Sequence, residues 1–142
     1  MEEVIEHVSF NGIAPDDLEE FHRQQDKILA AVLERLARSQ EAAAVFKDGE
    51  RLRIARESAL IFLENFHATA RYRIPAAILE YLDWLRGFLL SRGFPPAFLP
   101  SLLHASKIAA HAFMEHHNSD GIASALTALQ HREQSRIIGV QA

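Results

Sequence analysis

The stretch from Ile74 to Leu103, IPAAILEYLDWLRGFLLSRGFPPAFLPSLL, decides how this chain folds. It holds the only tryptophan, four of the five prolines and the densest run of apolar residues. Pro75 suits the first turn of a helix, because the N–H that proline lacks would have no partner there. Apolar residues then recur at helical spacing, at Ile78, Tyr81, Leu82, Leu85, Phe88 and Leu89. The pattern predicts a helix over 75–91.

The end of this helix is equally well marked. Gly93 suits the left-handed backbone conformation that closes many helices, and the prolines at 95–96 stop the helix from continuing. Since the residue before a proline avoids the helical region, Pro100 predicts that the next helix starts near 99–101. That helix is expected to reach about His117. The whole stretch is therefore predicted to form a helix, a tight turn and a second helix.

The rest of the chain also shows helical spacing. Further helical segments are expected at 4–8, 15–38, 41–47, 50–70 and from about 120 through 138. No segment alternates between apolar and polar residues as a strand does, and β-branched residues are sparse. The varied spacing and the corners set by proline predict an all-α fold, a globin-like stack of five to six helices rather than an up-down bundle.

Composition narrows the class of protein further. The 142 residues are expected to form a single domain over 1–142, with a net charge of −4 that argues against a nucleic-acid partner. The chain has no cysteine, no apolar run near the ~20 residues of a membrane span, and an acidic start unlike a signal peptide. We therefore expect a cytoplasmic protein. A helix that runs to the last residues suggests the N-terminal part of a longer signalling protein.

Two apolar groups are candidates for an interface or a pocket. Leu60, Ile61, Phe62 and Leu63 make the middle of one helix apolar on all sides, which is typical of a core helix or of a helix covered by a second chain. These residues are candidates for a core and dimer girdle. The second group is Tyr81, Trp84 and Phe88. It predicts either a small apolar pocket or an ordinary core cluster.

A repeated Glu-x-x-His pattern raises the question of a metal site. Glu19 and His22 form the first copy, and Glu64 and His67 form the second. Di-iron carboxylate bundles use this motif twice, together with one further Glu from each of two other helices. No helix with a suitable lone Glu precedes Glu19, so solvated helix faces are the plainer interpretation. A di-metal carboxylate enzyme stays open as an alternative.

Haem is a separate alternative. The helix over 75–91 contains no His, Cys or Met that could act as a proximal ligand, and Tyr81 is its only conceivable one. His67, His104 and His111 remain the candidate ligands if a haem, another tetrapyrrole or a metal is bound. Neither a Gly-x-Ser-x-Gly elbow nor a glycine-rich phosphate loop is present. We therefore expect no catalytic residues, no cofactor and no enzyme activity.

The segment Tyr81–Arg86 (YLDWLR), followed by Leu89–Pro96 (LLSRGFPP), resembles the globin-like, non-haem sensor domains of bacterial stressosome scaffold proteins of the RsbR type. Phe62–Ile74 fits the same layout, and the resemblance covers about residues 50–117. It implies a haem-free globin fold that dimerises through helices and precedes a STAS domain. The expected function is non-enzymatic signal sensing in a stress response, with stressosome-type partners reached through a downstream domain and a small-molecule signal of unknown identity.

Overall fold

A computed structural model describes residues 8–40, 42–115 and 118–141 of the chain. These residues form six α-helices and no strand, so the predicted all-α stack is confirmed. The helices are α1 (Pro15–Arg23), α2 (Gln25–Arg38), α3 (Gly49–Arg71), α4 (Pro75–Ser91), α5 (Phe98–Phe113) and α6 (Asp120–Gln141), with a 3₁₀ helix (Ala43–Lys47) between α2 and α3. The helix predicted at 4–8 lies mostly outside the described residues, as do His116 and His117.

Helix α5 lies at the centre of the stack, packed between α2 and α6. More than half of its residues are buried. Small side chains at Ala105, Ala109 and Ala110 let the neighbouring helices approach closely. The largest fully buried side chains come from nearly every element and form one core: Phe10, Phe21, Phe62, Phe66, Phe98, Ile28, Leu36, Leu63, Ile78, Leu82, Leu85 and Leu102.

Helix α3 is the second organising element and contacts α1, α2, α4 and the 3₁₀ helix. The carboxylate of Asp48 caps its start by accepting a hydrogen bond from the backbone N–H of Glu50 at 3.0 Å. In its second half, Phe66 makes edge-to-face contacts with the rings of Phe10 and Phe21, whose centroids lie 5.8 and 5.6 Å away. These contacts fix the N-terminal segment and α1 onto α3.

The prediction of a single helix over 15–38 is wrong, because the structure has two helices there. Gln24 leaves helical geometry, with φ −93° and ψ 7°, and separates α1 from α2. No glycine or proline marks this break in the sequence. Its cause is tertiary packing: α1 packs mainly against α3, whereas α2 packs mainly against α5. The chain bends so that both helices can bury their apolar faces.

The turn between α4 and α5 follows the prediction closely. Gly93 adopts the left-handed conformation, with φ +83°. Helix α5 begins at Phe98, one residue earlier than expected, and accommodates Pro100 within its first turn, where no backbone donor is lost.

The predicted end of α5 near His117 is too late. The helix stops at Phe113, because the carboxylate of Glu20 accepts hydrogen bonds from the backbone of Glu115 and the side chain of Asn118. These bonds hold the following turn against α1. The hydrogen bond from Asn118 also lowers the pKa of Glu20.

The N-terminal segment is held at two distant points of the fold. The guanidinium of Arg73 donates to the backbone carbonyl of Phe10 at 2.8 Å and to that of Ile13 at 3.4 Å. At the start of α6, Gly121 lies so close to the carbonyl of Gly12 that a Cβ atom there would collide with it. The segment from Val8 to Ile13 therefore spans from the end of α3 to the start of α6.

Candidate functional site

Three aromatic rings stack along one exposed face of α4. The centroids of Tyr81 and Trp84 lie 6.1 Å apart with an interplanar angle of 30°, and those of Trp84 and Phe88 lie 5.1 Å apart at 11°. Trp84 is 59% exposed, while Tyr81 and Phe88 are half-buried. Their spacing along the helix places them in a row. We call Tyr81, Trp84 and Phe88 the aromatic row.

The aromatic row forms one wall of a groove of about 220 Å³ between α3 and α4. The opposite wall includes Ile61, which is 45% exposed, and the ion-paired side chains of Arg53 and Glu57. Arg92 closes one end, with its guanidinium carbon 4.8 Å from the centroid of the Phe88 ring. Burial raises the pKa of Tyr81 to about 12, so its hydroxyl stays protonated. The groove is apolar at its centre and carries both signs of charge at its rim.

The girdle residues of α3 divide between the core and this groove. Phe62 and Leu63 are fully buried, Leu60 is half-buried and Ile61 points into the groove. The apolar middle of α3 therefore packs into the core on one side and faces the aromatic row on the other. Trp84 lies outside the core, so the interpretation of the aromatic row as an ordinary core cluster is wrong for its central residue.

A cluster of charged side chains, with its α6 members buried, joins α4 to α6. Glu133 is 1% exposed and bonds to Arg86 at 2.7 Å and to Arg132 at 2.8 Å. Arg132, at 3% exposure, also donates to Asp83 at 2.9 Å, as does Arg86 at the same distance. Although burial works against the charged forms, these hydrogen bonds raise the pKa of Arg86 and lower that of Asp83. We call these four residues the charge cluster.

The charge cluster was not anticipated from the sequence. The run His131-Arg132-Glu133-Gln134 has the composition of a solvated helix surface. One signal does point inward: Glu133 follows Ile122, Leu126 and Leu129 at helical spacing, so it occupies the next position of the buried stripe of α6. A carboxylate at such a position needs cationic partners.

The two Glu-x-x-His motifs meet through their histidines. The rings of His22 and His67 stack with centroids 4.3 Å apart and an interplanar angle of 18°. Burial, followed by the positive charge of a protonated His22, lowers the pKa of His67. Glu19 lines a small cleft beside His67, whereas Glu64 is exposed. Within 8–40, 42–115 and 118–137, no three His, Asp or Glu side chains are grouped so that they could hold a metal ion.

The other candidate haem ligands lie elsewhere. His104 lines a cavity of about 340 Å³ between α2, α5 and α6. His111 is exposed near the end of α5, with its Nδ1 atom 2.8 Å from the hydroxyl of Ser119. His67 lies at the contact between α1 and α3. The three histidines thus occupy three separate places, and α4 presents no histidine to face any of them.

No helix in the part of the chain that the structure describes is both long and apolar enough to cross a membrane. No family model, curated protein or solved structure matches the chain. The resemblance to RsbR-type sensor domains therefore stays a prediction from the residue pattern, and the assignment of function depends on the geometry of the groove.

Proposed function

We propose that this chain is a non-enzymatic regulatory domain that works as a homodimer joined through the aromatic row of α4. The observation that carries the proposal is the exposure of Trp84, stacked between Tyr81 and Phe88 on the surface. Contiguous exposed apolar surface marks interaction sites, and tryptophan, tyrosine and arginine supply most of the energy of protein interfaces. The groove combines these residue types.

The partner that fits this face is a second copy of the chain. Glu80, Trp84, Phe88 and Arg92 follow one another at intervals of four residues, so they form a single ridge along α4. The ridge runs from an acid through two aromatic rings to a base. When two such ridges pack against each other in opposite directions about a two-fold axis, Glu80 of one copy lies beside Arg92 of the other.

Both end charges of this ridge are available for such pairing. Glu80 is exposed and forms no ion pair or hydrogen bond within the described residues. Arg92 stacks on Phe88 but has no carboxylate partner in that part of the chain. The ridge is therefore complementary to itself in both shape and charge. This arrangement favours one defined dimer over general adhesion through exposed aromatic rings.

In such a dimer, regulation would act through α4 and α6. The charge cluster links the helix that carries the aromatic row to the last helix of the domain. A signal that changes the packing of the dimer would shift α6 by a small movement, as helices at subunit interfaces do. The transmission to a downstream domain and the stressosome-type partners rest on the resemblance and belong to this proposal.

Sedimentation velocity over a range of micromolar concentrations tests the dimer. We expect the wild-type chain to dimerise and Trp84→Ala to raise the dimer Kd by at least about 30-fold, as for a central aromatic residue of an interface. Tyr72→Ala is the matched control, because Tyr72 is an aromatic residue at 67% exposure outside the groove. A wild-type chain that remains monomeric, or a Trp84→Ala variant that dimerises normally, would refute the proposal.

A charge exchange tests the antiparallel arrangement of the ridges. Glu80→Arg and Arg92→Glu, made singly, each place like charges together and should weaken the dimer by about fivefold or more. The double variant restores opposite charges and should recover most of the lost affinity. If the double variant is weaker than both single variants, the two helices do not pair in this way.

A further inference from the structure

A cavity of about 340 Å³ lies between α2, α5 and α6. This volume falls within the range of small-molecule sites in proteins. Its floor is apolar and includes Leu36, Pro100 and Ala105. Polar side chains from all three helices surround this floor: Arg35, Ser39, Ser101, His104, Gln130 and Gln134.

Most of these polar groups have no partner among the residues that the structure describes. Ser39 bonds to the backbone of Leu36 and Ala42, as a residue at a helix end commonly does. By contrast, the side chains of Arg35, Ser101, His104, Gln130 and Gln134 form no hydrogen bond or ion pair with any described residue. Arg35 and Gln134 are exposed, and Ser101, His104 and Gln130 are half-buried, so all five side chains are accessible to a bound molecule. Five polar side chains without a partner among the described residues therefore line one cavity that is open to solvent.

The charge of the cavity points to the class of molecule it fits. Arg35 supplies a positive charge, and the described residues that line the cavity include no Asp or Glu. The neighbouring carboxylate of Glu34 bonds to Arg38 instead, at 3.4 Å. An arginine with no counter-charge in the described part of the chain, accompanied by hydroxyl, amide and imidazole groups, is a donor set that suits carboxylates and phosphates.

We propose that this cavity binds a small organic oxyanion, with Arg35 facing its carboxylate or phosphate group and the apolar floor contacting its body. This oxyanion would be the signal that the proposed regulatory domain senses. The interpretation of the oxyanion as a signal rests on the proposed function, whereas its binding to the cavity does not. Gln130 and Gln134 belong to α6, so a bound molecule contacts the same helix that the charge cluster ties to α4.

Titration of the ¹⁵N-labelled full chain, followed by two-dimensional NMR, tests this site. Sodium butanoate and inorganic phosphate serve as separate probes at constant pH and ionic strength, with sodium chloride as the balancing salt. We expect saturable shifts of the backbone amide signals of Ser101, His104 and Gln134 with at least one probe. Saturation with butanoate assigns a carboxylate ligand, and saturation with phosphate assigns a phosphate ligand. Shifts that stay linear with both probes would overturn the proposal.

Two charge-removing variants show whether the binding is specific. Arg35→Gln should weaken the Kd by about tenfold, as expected for the loss of a charged hydrogen bond. Arg38→Gln removes the same charge from the same helix but does not line the cavity, so its Kd should stay within about twofold of the wild type. Equal weakening by both variants would show general charge attraction and would refute the site.

The test of the oxyanion site can be distinguished from the test of the dimer. The same titration of the Trp84→Ala variant should give the wild-type Kd, because Trp84 does not line the cavity. If the titration fails in a chain that still dimerises, the oxyanion site is wrong and the proposed function stands. If the chain is monomeric yet binds the probe, the site stands without the dimer.

Discussion

Trp84 and Glu133 have the opposite of the solvent exposure that is usual for their residue types. Trp84 is 59% exposed, whereas Glu133 is 1% exposed. Residue type alone would place the tryptophan inside and the glutamate outside. The two residues sit on the helices α4 and α6, which the charge cluster joins. The comparison teaches that polar contacts, as well as apolar ones, decide which face of α4 meets solvent.

The charge cluster sets the rotation of α4 about its own axis. Asp83 and Arg86 must face α6 in order to meet Arg132 and Glu133. With Leu82 and Leu85 directed into the core, Trp84 is left at the groove beside α3 with more than half of its surface in solvent. The exposure of the aromatic row is therefore a consequence of contacts made on the other sides of α4.

Removing the carboxylate of Glu133 should lower the free energy of unfolding more than any other change considered below. Glu133→Ala removes the buried carboxylate that pairs with both Arg132 and Arg86, so we expect the free energy of unfolding to fall by about 4 kcal/mol. Urea denaturation followed by circular dichroism measures this change. Glu34→Ala removes an exposed carboxylate with a single arginine partner and should change stability by less than about 0.5 kcal/mol. Equal effects of the two variants would mean that the charge cluster is solvated.

Neighbouring residues of α4 give a second test of the comparison. Leu85 is almost fully buried, so Leu85→Ala should cost about 3 kcal/mol of unfolding free energy. Trp84→Ala, one position earlier, removes a larger side chain but should cost less than about 1 kcal/mol. Urea denaturation is measured well below the dimer Kd, so that self-association adds nothing. A larger loss for Trp84→Ala would place the tryptophan in the core.

The stacked histidines His22 and His67 should have the smallest effect on stability. Unlike Glu133, His67 is not held in its charged form by partners of opposite charge. Burial and then His22 hold the pKa of His67 below its ordinary 6.5, although Glu19 acts in the opposite direction. The unfolded chain therefore takes up the proton first. Stability is complete above about pH 6.5 and declines as the pH falls through the pKa of the folded state.

The urea midpoint at about pH 7.5 and about pH 5 measures this dependence. We expect a smaller decline for His67→Gln than for the wild-type chain, since glutamine does not titrate. Arg71 also faces His67 and lowers its pKa, in the same direction as burial, so the direction of the pH dependence is unchanged. An identical decline in both proteins would assign the pH dependence to other groups.

The features that could be predicted from the sequence are those set by neighbouring residues. Pro75 begins α4, and Gly93 follows its end in a left-handed conformation. Each depends on backbone preferences that act over a few residues.

The features that the sequence did not reveal depend on distant contacts. The break at Gln24 follows from packing against two different helices, and the burial of Glu133 follows from arginines on α4 and α6. Trp84 was grouped with the correct neighbours, but its exposure depends on the rotation of α4. The polar lining of the cavity comes from three helices, so no local pattern identifies it.

The contacts that hold the N-terminal segment at two distant points have a consequence for the order of folding. Gly12 meets Gly121, and Phe10 meets Arg73, so residues from the start of the chain close against elements made much later. Contacts between residues so far apart in sequence form slowly, because a long loop must close first. During synthesis, Phe10 and Ile13 can meet Phe66 and Arg73 as soon as α3 has emerged, whereas the contact of Gly12 must wait for the start of α6. The segment is therefore expected to be secured in two stages.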